Sequence, residues 1–189
     1  MNKNFKFLNA FANISEDIFD KLKEIAVFKR VEAGTQLVKI GEVPSKIYML
    51  VSGSLRCYLS TEDGKEFNKS FYLPTSFAAP LTALIQRRPS SFVFETLTDS
   101  KIYEIDYYKL LDLSNDDEEL KKLYTKVLEV LYISYEERLV ELISLDAKGR
   151  YLVLRKQISG VDELISQYHI ASYLGITSVQ LSRIRKKLM

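Results

Sequence analysis

Tyr168-His169-Ile170-Ala171-Ser172-Tyr173-Leu174-Gly175-Ile176-Thr177-Ser178-Val179-Gln180-Leu181-Ser182-Arg183-Ile184-Arg185 decides how the chain is read. Ile170, Ala171 and Leu174 fall on one face of a first helix, and the small Ala171 lets a second helix approach closely. Gly175 supplies a positive φ for a tight turn, Ile176 plugs the junction, and Thr177 or Ser178 caps the second helix. Val179, Leu181 and Ile184 are then expected on the inner face of that second helix. Its outer face would carry Thr177, Ser178, Gln180, Ser182, Arg183, Arg185, Lys186 and Lys187. This is the pattern of a helix-turn-helix with a basic outer surface.

Charge along the chain supports that reading. The net charge is only +2, but from Lys148 onward eight bases face just Asp162 and Glu163, so this stretch carries +6 and the preceding residues −4. A basic end on an acidic body suggests a polyanionic partner, with arginine able to donate twice to guanine and glutamine to pair with adenine. The plainer alternative is a helical hairpin with a solvated basic face. His169 is the only histidine, so hydrogen bonding or a phosphate contact is expected of it rather than catalysis.

Upstream, the hydrophobic period changes twice. Short runs at Val27–Val31, Gln36–Ile40, Ile47–Val51, Leu55–Leu59, Phe67–Tyr72, Phe92–Thr96 and Lys101–Ile105, with turns at Gly34, Gly41, Gly53 and Asp63-Gly64, predict a β-sandwich or small barrel. From Asp116 to Ile143 apolar residues recur every three or four positions, which predicts one long amphipathic helix capped by Ser114 or Asn115. Its apolar surface is wider than one stripe, so it must be covered on more than one side. The divisions expected are a β-roll over 1–115, a dimerisation helix over 116–145 and a helix-turn-helix domain over 146–189.

Several chemistries lack their residues. Cys57 is the only cysteine, which excludes an intrachain disulfide and cysteine-rich metal or cluster sites and predicts a buried structural thiol. The pairs Glu118-Glu119 and Glu136-Glu137 read as solvated helix surface rather than acid–base machinery. Neither a phosphate-cradling glycine loop nor a metal-ligand cluster is present, so no enzyme is expected. The first residues lack a leader-like apolar run and no later stretch reaches ~20 apolar residues, so neither a membrane nor an export signal is expected and the cytoplasm is.

Val31-Glu32-Ala33-Gly34-Thr35, Gly41-Glu42 followed by Ile47-Tyr48-Met49-Leu50-Val51-Ser52-Gly53, and the helix-turn-helix itself together resemble the Crp/Fnr family of bacterial regulators over nearly the whole chain. The resemblance implies an α+β fold: an N-terminal double-stranded β-helix or jelly roll of the cyclic-nucleotide-binding type, a long dimerisation helix and a C-terminal helix-turn-helix. It also implies a homodimer reading successive major grooves of a roughly palindromic double-stranded DNA site, with RNA polymerase as a further partner. The position matching Arg183 contacts bases in the family. Ser178 and Val179 depart from the usual Arg and Glu, so a different operator is expected. Met189 follows the recognition helix directly, so no C-terminal wing is expected and Lys148, Arg150, Arg155 and Lys156 are left to supply phosphate contacts.

The effector site departs further. Where family members that bind cyclic nucleotides carry Gly-Glu and then Arg with a small hydroxyl residue, this chain has Ala78-Ala79 and Pro89-Ser90-Ser91. Both charges needed by a cyclic phosphate and its ribose are missing. Cyclic AMP binding is therefore not expected unless Arg87 or Arg88 substitutes, and haem and an iron–sulfur cluster lack ligands. The roll is left with two readings: a pocket for another small molecule near Tyr72, Phe77, Ala78, Ala79, Arg87, Arg88, Ser90, Ser91 and Phe92, or no ligand control. A sensory or interaction module that no longer binds DNA is the competing function.

Overall fold

The computed structural model describes residues 2–188. Two short helices come first, α1 (Lys3–Asn9) and α2 (Glu16–Glu24), the second N-capped by the Ser15 hydroxyl. The sequence reading assigned neither. They cover the outside of the β domain with Leu8, Ile18, Phe19 and Leu22, all buried.

The strands β1 (Ala26–Val31), β2 (Gln36–Val38), β3 (Lys46–Ser52), β4 (Leu55–Ser60), β5 (Glu66–Tyr72), β6 (Ser76–Ala78), β7 (Val93–Thr96) and β8 (Ser100–Asp106) form two four-stranded antiparallel sheets, ordered β1-β8-β3-β6 and β2-β7-β4-β5. Every expected strand is present, and β6 is an addition too short for its period to register. Val38, Leu50, Leu55, Cys57, Ala78, Phe94 and Ile102 close the space between the sheets, each 1% exposed or less. Burial pushes the Cys57 thiol up to about 12, consistent with the structural role expected of it. Gly53 turns β3 into β4 at φ 93, where a Cβ would stand 2.2 Å from Ser100 Oγ, so only glycine fits.

Between β6 and β7 lies α3 (Leu81–Gln86), which ends on Arg87 in a left-handed conformation with φ 49. After β8 comes α4 (Tyr107–Asp116), also absent from the sequence reading, and then the long α5 (Glu118–Ser144). Ser114 and Asn115 therefore belong to α4 rather than capping α5. The cap is Asp117, whose carboxylate accepts from the amides of Glu119 at 3.0 Å and Leu120 at 3.3 Å. The first turns of α5 bury Leu120 and Leu123 against α2 and α4. Its second half leaves Tyr132, Ile133, Leu139, Val140 and Ile143 between 52% and 78% exposed. No helix is long and apolar enough to cross a membrane among the described residues.

The C-terminal helices are α6 (Ala147–Gln157), α7 (Val161–Leu164), α8 (Gln167–Leu174) and α9 (Ser178–Lys186). Tyr151, Leu154, Val161, Ile165, Ile170, Ala171, Leu174 and Leu181 make their shared core, each 2% exposed or less. At ~1.5–3 kcal/mol for each large apolar side chain removed from water, this core is enough to fix how α9 lies on α8.

Candidate nucleic-acid interface and effector pocket

The turn between α8 and α9 forms as its residues dictate. Gly175 takes φ 70, and the amides of Gly175 and Ile176 return to the carbonyls of Ser172 and Ala171 at 3.2 and 3.0 Å, closing the end of α8. Thr177 caps α9: its hydroxyl accepts from the Gln180 amide at 3.2 Å while Gln180 Oε1 accepts from the Thr177 amide at 2.8 Å. Gln167 Nε2 donates to the Ser178 carbonyl at 2.7 Å and ties the two helices together.

The outer face of α9 presents Val179, Gln180, Ser182, Arg183, Lys186 and Lys187, all exposed. Among the described residues, no carboxylate pairs with Arg183, Lys186 or Lys187; the ion pairs of this region are Arg155 and Arg185 with Asp162. Three expectations change. Val179 is 60% exposed and lies outside, not on the inner face. Gln180 has its amide oxygen committed to the cap, which removes the acceptor needed for a bidentate contact with adenine. Arg185, four residues after the buried Leu181, is carried to the inner side. There its guanidinium binds the Asp162 carboxylate and donates to the Tyr151 hydroxyl at 3.1 Å, so it braces α9 against α6 and α7. Asp162, on a four-residue helix, gave no periodic signal by which this pairing could be read.

Arg150 is likewise turned inward. It donates to the Leu145 carbonyl at 2.7 Å and the Leu174 carbonyl at 3.0 Å. Arg138 of α5 donates to the Tyr173 carbonyl at 2.8 Å, stacks 3.8 Å over the Tyr173 ring and pairs with the buried Glu141. These two arginines satisfy the last carbonyls of α8, whose outward dipole end favours cations.

The other side of α8 is docked on β5, the edge strand of its sheet. The Ser172 hydroxyl accepts from the Asn68 amide at 3.0 Å and donates to the Glu66 carbonyl at 2.7 Å, occupying the ladder positions a further strand would fill. Beside it Arg56, 6% exposed at its side chain, donates to Glu95 from Nε and Nη2 at 2.9 and 2.8 Å and to Glu66 from Nη1. The same Nη1 reaches His169 Nδ1 at 3.1 Å. Arginine has no acceptor, so His169 Nδ1 accepts and the ring is neutral with its proton on Nε2. Burial first, and the Arg56 charge second, hold this histidine below its ordinary value of 6.5. His169 is thus a docking residue of the seam between the two domains.

In the roll, a cavity of about 240 Å³ opens between β5, α3, β7 and α5. Ala79, Arg88, Ser90 and Ser91 line it as expected, together with Phe92. Four expected residues do not. Ala78 is fully buried between the sheets, and Tyr72 packs on Phe94 within the roll, ring centroids 6.0 Å apart. Phe77 points the opposite way from Ala78, against Phe7 and Phe11, and lines a separate apolar cavity of about 130 Å³ under α5. The left-handed turn at Arg87 aims its guanidinium over the Tyr108 ring at 4.9 Å. Thr82 and Phe94, near neighbours of the expected residues, also line it, as do Lys69 and Tyr135, which come from elements distant in sequence and carry no local signal of this placement.

The family described as Cyclic nucleotide-binding domain matches residues 28–117. The anaerobic regulatory protein of Haemophilus influenzae is 25% identical over 183 residues, covering 90% of this chain and 70% of the relative. The fumarate and nitrate reduction regulatory protein of Vibrio cholerae is 25% identical over 183 residues, covering 90% and 72%. Among solved structures, FixK2 from Bradyrhizobium japonicum superposes with a TM-score of 0.71 at 19% identity, covering 87% of this chain and 84% of that one. The catabolite activator protein of Thermus thermophilus gives 0.60 at 18% identity over 96% and 86%. The curated relatives are named as regulatory proteins, and the superposed structures share the fold of this chain. The chain thus carries a cyclic nucleotide-binding domain over residues 28–117 and is similar along most of its length to regulators of the Crp/Fnr kind.

Proposed function

We propose that the chain is a dimeric, sequence-specific DNA-binding regulator, acting in the cytoplasm, whose roll does not answer to cyclic AMP. The observation that carries the DNA reading is the outer face of α9. Arg183, Lys186 and Lys187 stand exposed there without acidic partners among the described residues, on a helix capped and braced from behind. A helix presented this way fits the major groove, with Arg183 free to donate to guanine and the lysines to phosphates.

Dimerisation along α5 is supported by the apolar residues its second half leaves in water. Tyr132, Leu139 and Ile143 recur at helical spacing and are 56% to 78% exposed, a surface that a second copy of the same helix would cover. The reading against cyclic AMP rests on the cavity, where Ala79 stands in place of an acidic acceptor for the ribose and no carboxylate lines the wall.

Selection of binding sites from a random duplex pool tests this reading. Enrichment of a two-fold-symmetric sequence with half-sites about one helical turn apart is expected. A pool left random after several rounds would favour a sensory module that has lost DNA binding.

A further inference from the structure

The outermost side chain on the first turn of α9 is apolar. Successive residues of a helix are rotated by about 100°, so Val179, Arg183 and Lys186 all fall within about 40° of the point diametrically opposite the buried Leu181. Val179 is 60% exposed there, and among the described residues it joins none of the three apolar cores. Folding does not call for it. A β-branched residue is a poorer helix former than alanine, and an apolar side chain left in water contributes no burial. Its polar neighbour is otherwise engaged: Gln180 Oε1 accepts from the Thr177 amide at 2.8 Å and from the Thr177 hydroxyl at 3.1 Å. The ridge that α9 turns outward therefore carries one apolar group, Val179, one turn before one exposed guanidinium, Arg183.

Base edges in the major groove display hydrogen-bond donors and acceptors, with one apolar exception, the C5-methyl group of thymine. Valine set against a donor or acceptor strips it of water and returns no hydrogen bond, which is penalised. Set against a methyl group, it takes apolar surface out of water on both sides. We propose that Val179 selects a thymine through its C5-methyl group, within about two base pairs of the guanine bound by Arg183. The span is geometric: four residues of helix rise about 6 Å, and one base-pair step is about 3.4 Å. The inference rests on the reading of α9 as the helix that enters the groove, and it names what the apolar part of that helix recognises.

Replacement of thymine by deoxyuridine tests it, because this removes the methyl group and leaves the hydrogen-bonding edge as it was. A duplex selected from a random pool by the full chain is resynthesised with each thymine of a half-site replaced in turn, and binding is measured for the wild type, Val179→Ala and Arg183→Ala. One thymine is expected at which the wild type loses about fourfold in affinity, the value of one buried methyl-sized group. Site selection with Arg183→Ala locates the guanine, which should lie within about two base pairs of that thymine. With Val179→Ala the thymine and deoxyuridine duplexes should bind equally, while the guanine preference is kept. Val179 is exposed, so its truncation leaves the helix core intact, and the methyl deletion is read on the wild-type protein in any case. Wild-type binding indifferent to every methyl group, an equal methyl effect in Val179→Ala, or a sensitive thymine far from the Arg183 guanine would each overturn the proposal and leave the DNA reading standing. A pool that yields no selected sequence would overturn both.

Discussion

Replacing Arg56 with methionine tests the seam on which the position of the helix-turn-helix depends. The guanidinium makes three contacts to Glu95 and Glu66 and a fourth to His169. Removing one partner of a buried ion pair costs about 3–5 kcal/mol, because the remaining charge is left without compensation. Glu66 and Glu95 are 24% and 16% exposed at their side chains and recover some water, which places the loss at the low end, about 3 kcal/mol. With a urea dependence of about 2 kcal/mol per molar, the unfolding midpoint falls by about 1.5 M. The histidine gives an independent sign. With Arg56 gone, the two carboxylates that raise its pKa act unopposed, so the His169 pKa must rise. In the wild type the lowered value means that the unfolded chain binds the proton more readily. The stability held by neutral His169 is therefore present above 6.5 and lost as pH falls below it, and Arg56→Met flattens that dependence. Urea unfolding by circular dichroism and an NMR titration of the one imidazole measure both. A midpoint within experimental error of wild type, or an unmoved His169, would refute the assignment of Arg56 as the buried centre of the seam.

Arg185→Ala should lower the stability of the C-terminal helices by about 1–2 kcal/mol through loss of the Asp162 and Tyr151 contacts, whereas base preference, read by site selection on the folded fraction, should stay the same. Leu139→Glu with Ile143→Glu should convert a dimer to a monomer in analytical ultracentrifugation, since both side chains lie in the exposed apolar stretch of α5. Cys57, buried and pushed up to about 12, should resist a thiol reagent at pH 8 until urea unfolds the roll; rapid labelling of the native chain would contradict the packing of the two sheets.

How much of this was legible in the sequence follows from the range of the interactions. The strands and the helix-turn-helix announce themselves in neighbouring residues: the short unbroken apolar run Ile47–Val51 ended by Gly53, and Gly175 with Thr177 and Gln180 at capping distance. β6 and α3 are three and six residues long, below the length at which period separates helix from strand. The site residues divide in the same way. Arg183 is outside and Arg185 inside by their places on α9, two and four residues after the buried Leu181, but the partner that holds Arg185 there, Asp162, lies more than twenty residues earlier on a helix of one turn. The apolarity of Val179 points inward, yet it falls two residues before Leu181 and so on the opposite, exposed side. Lys69 and Tyr135 meet over the cavity only because β5 runs beside α5, a relation that no local pattern encodes.

The reading of DNA by α9 is tested most directly by gel-shift titration of the wild type and Arg183→Ala against a selected site and a scrambled duplex at two salt concentrations. Wild-type binding to the selected site should weaken steeply with salt, and Arg183→Ala should cost ~1–3 kcal/mol on that site with little change on the scrambled one. Equal losses on both duplexes would make Arg183 a phosphate contact, and the absence of any salt-sensitive complex at micromolar protein would contradict the account.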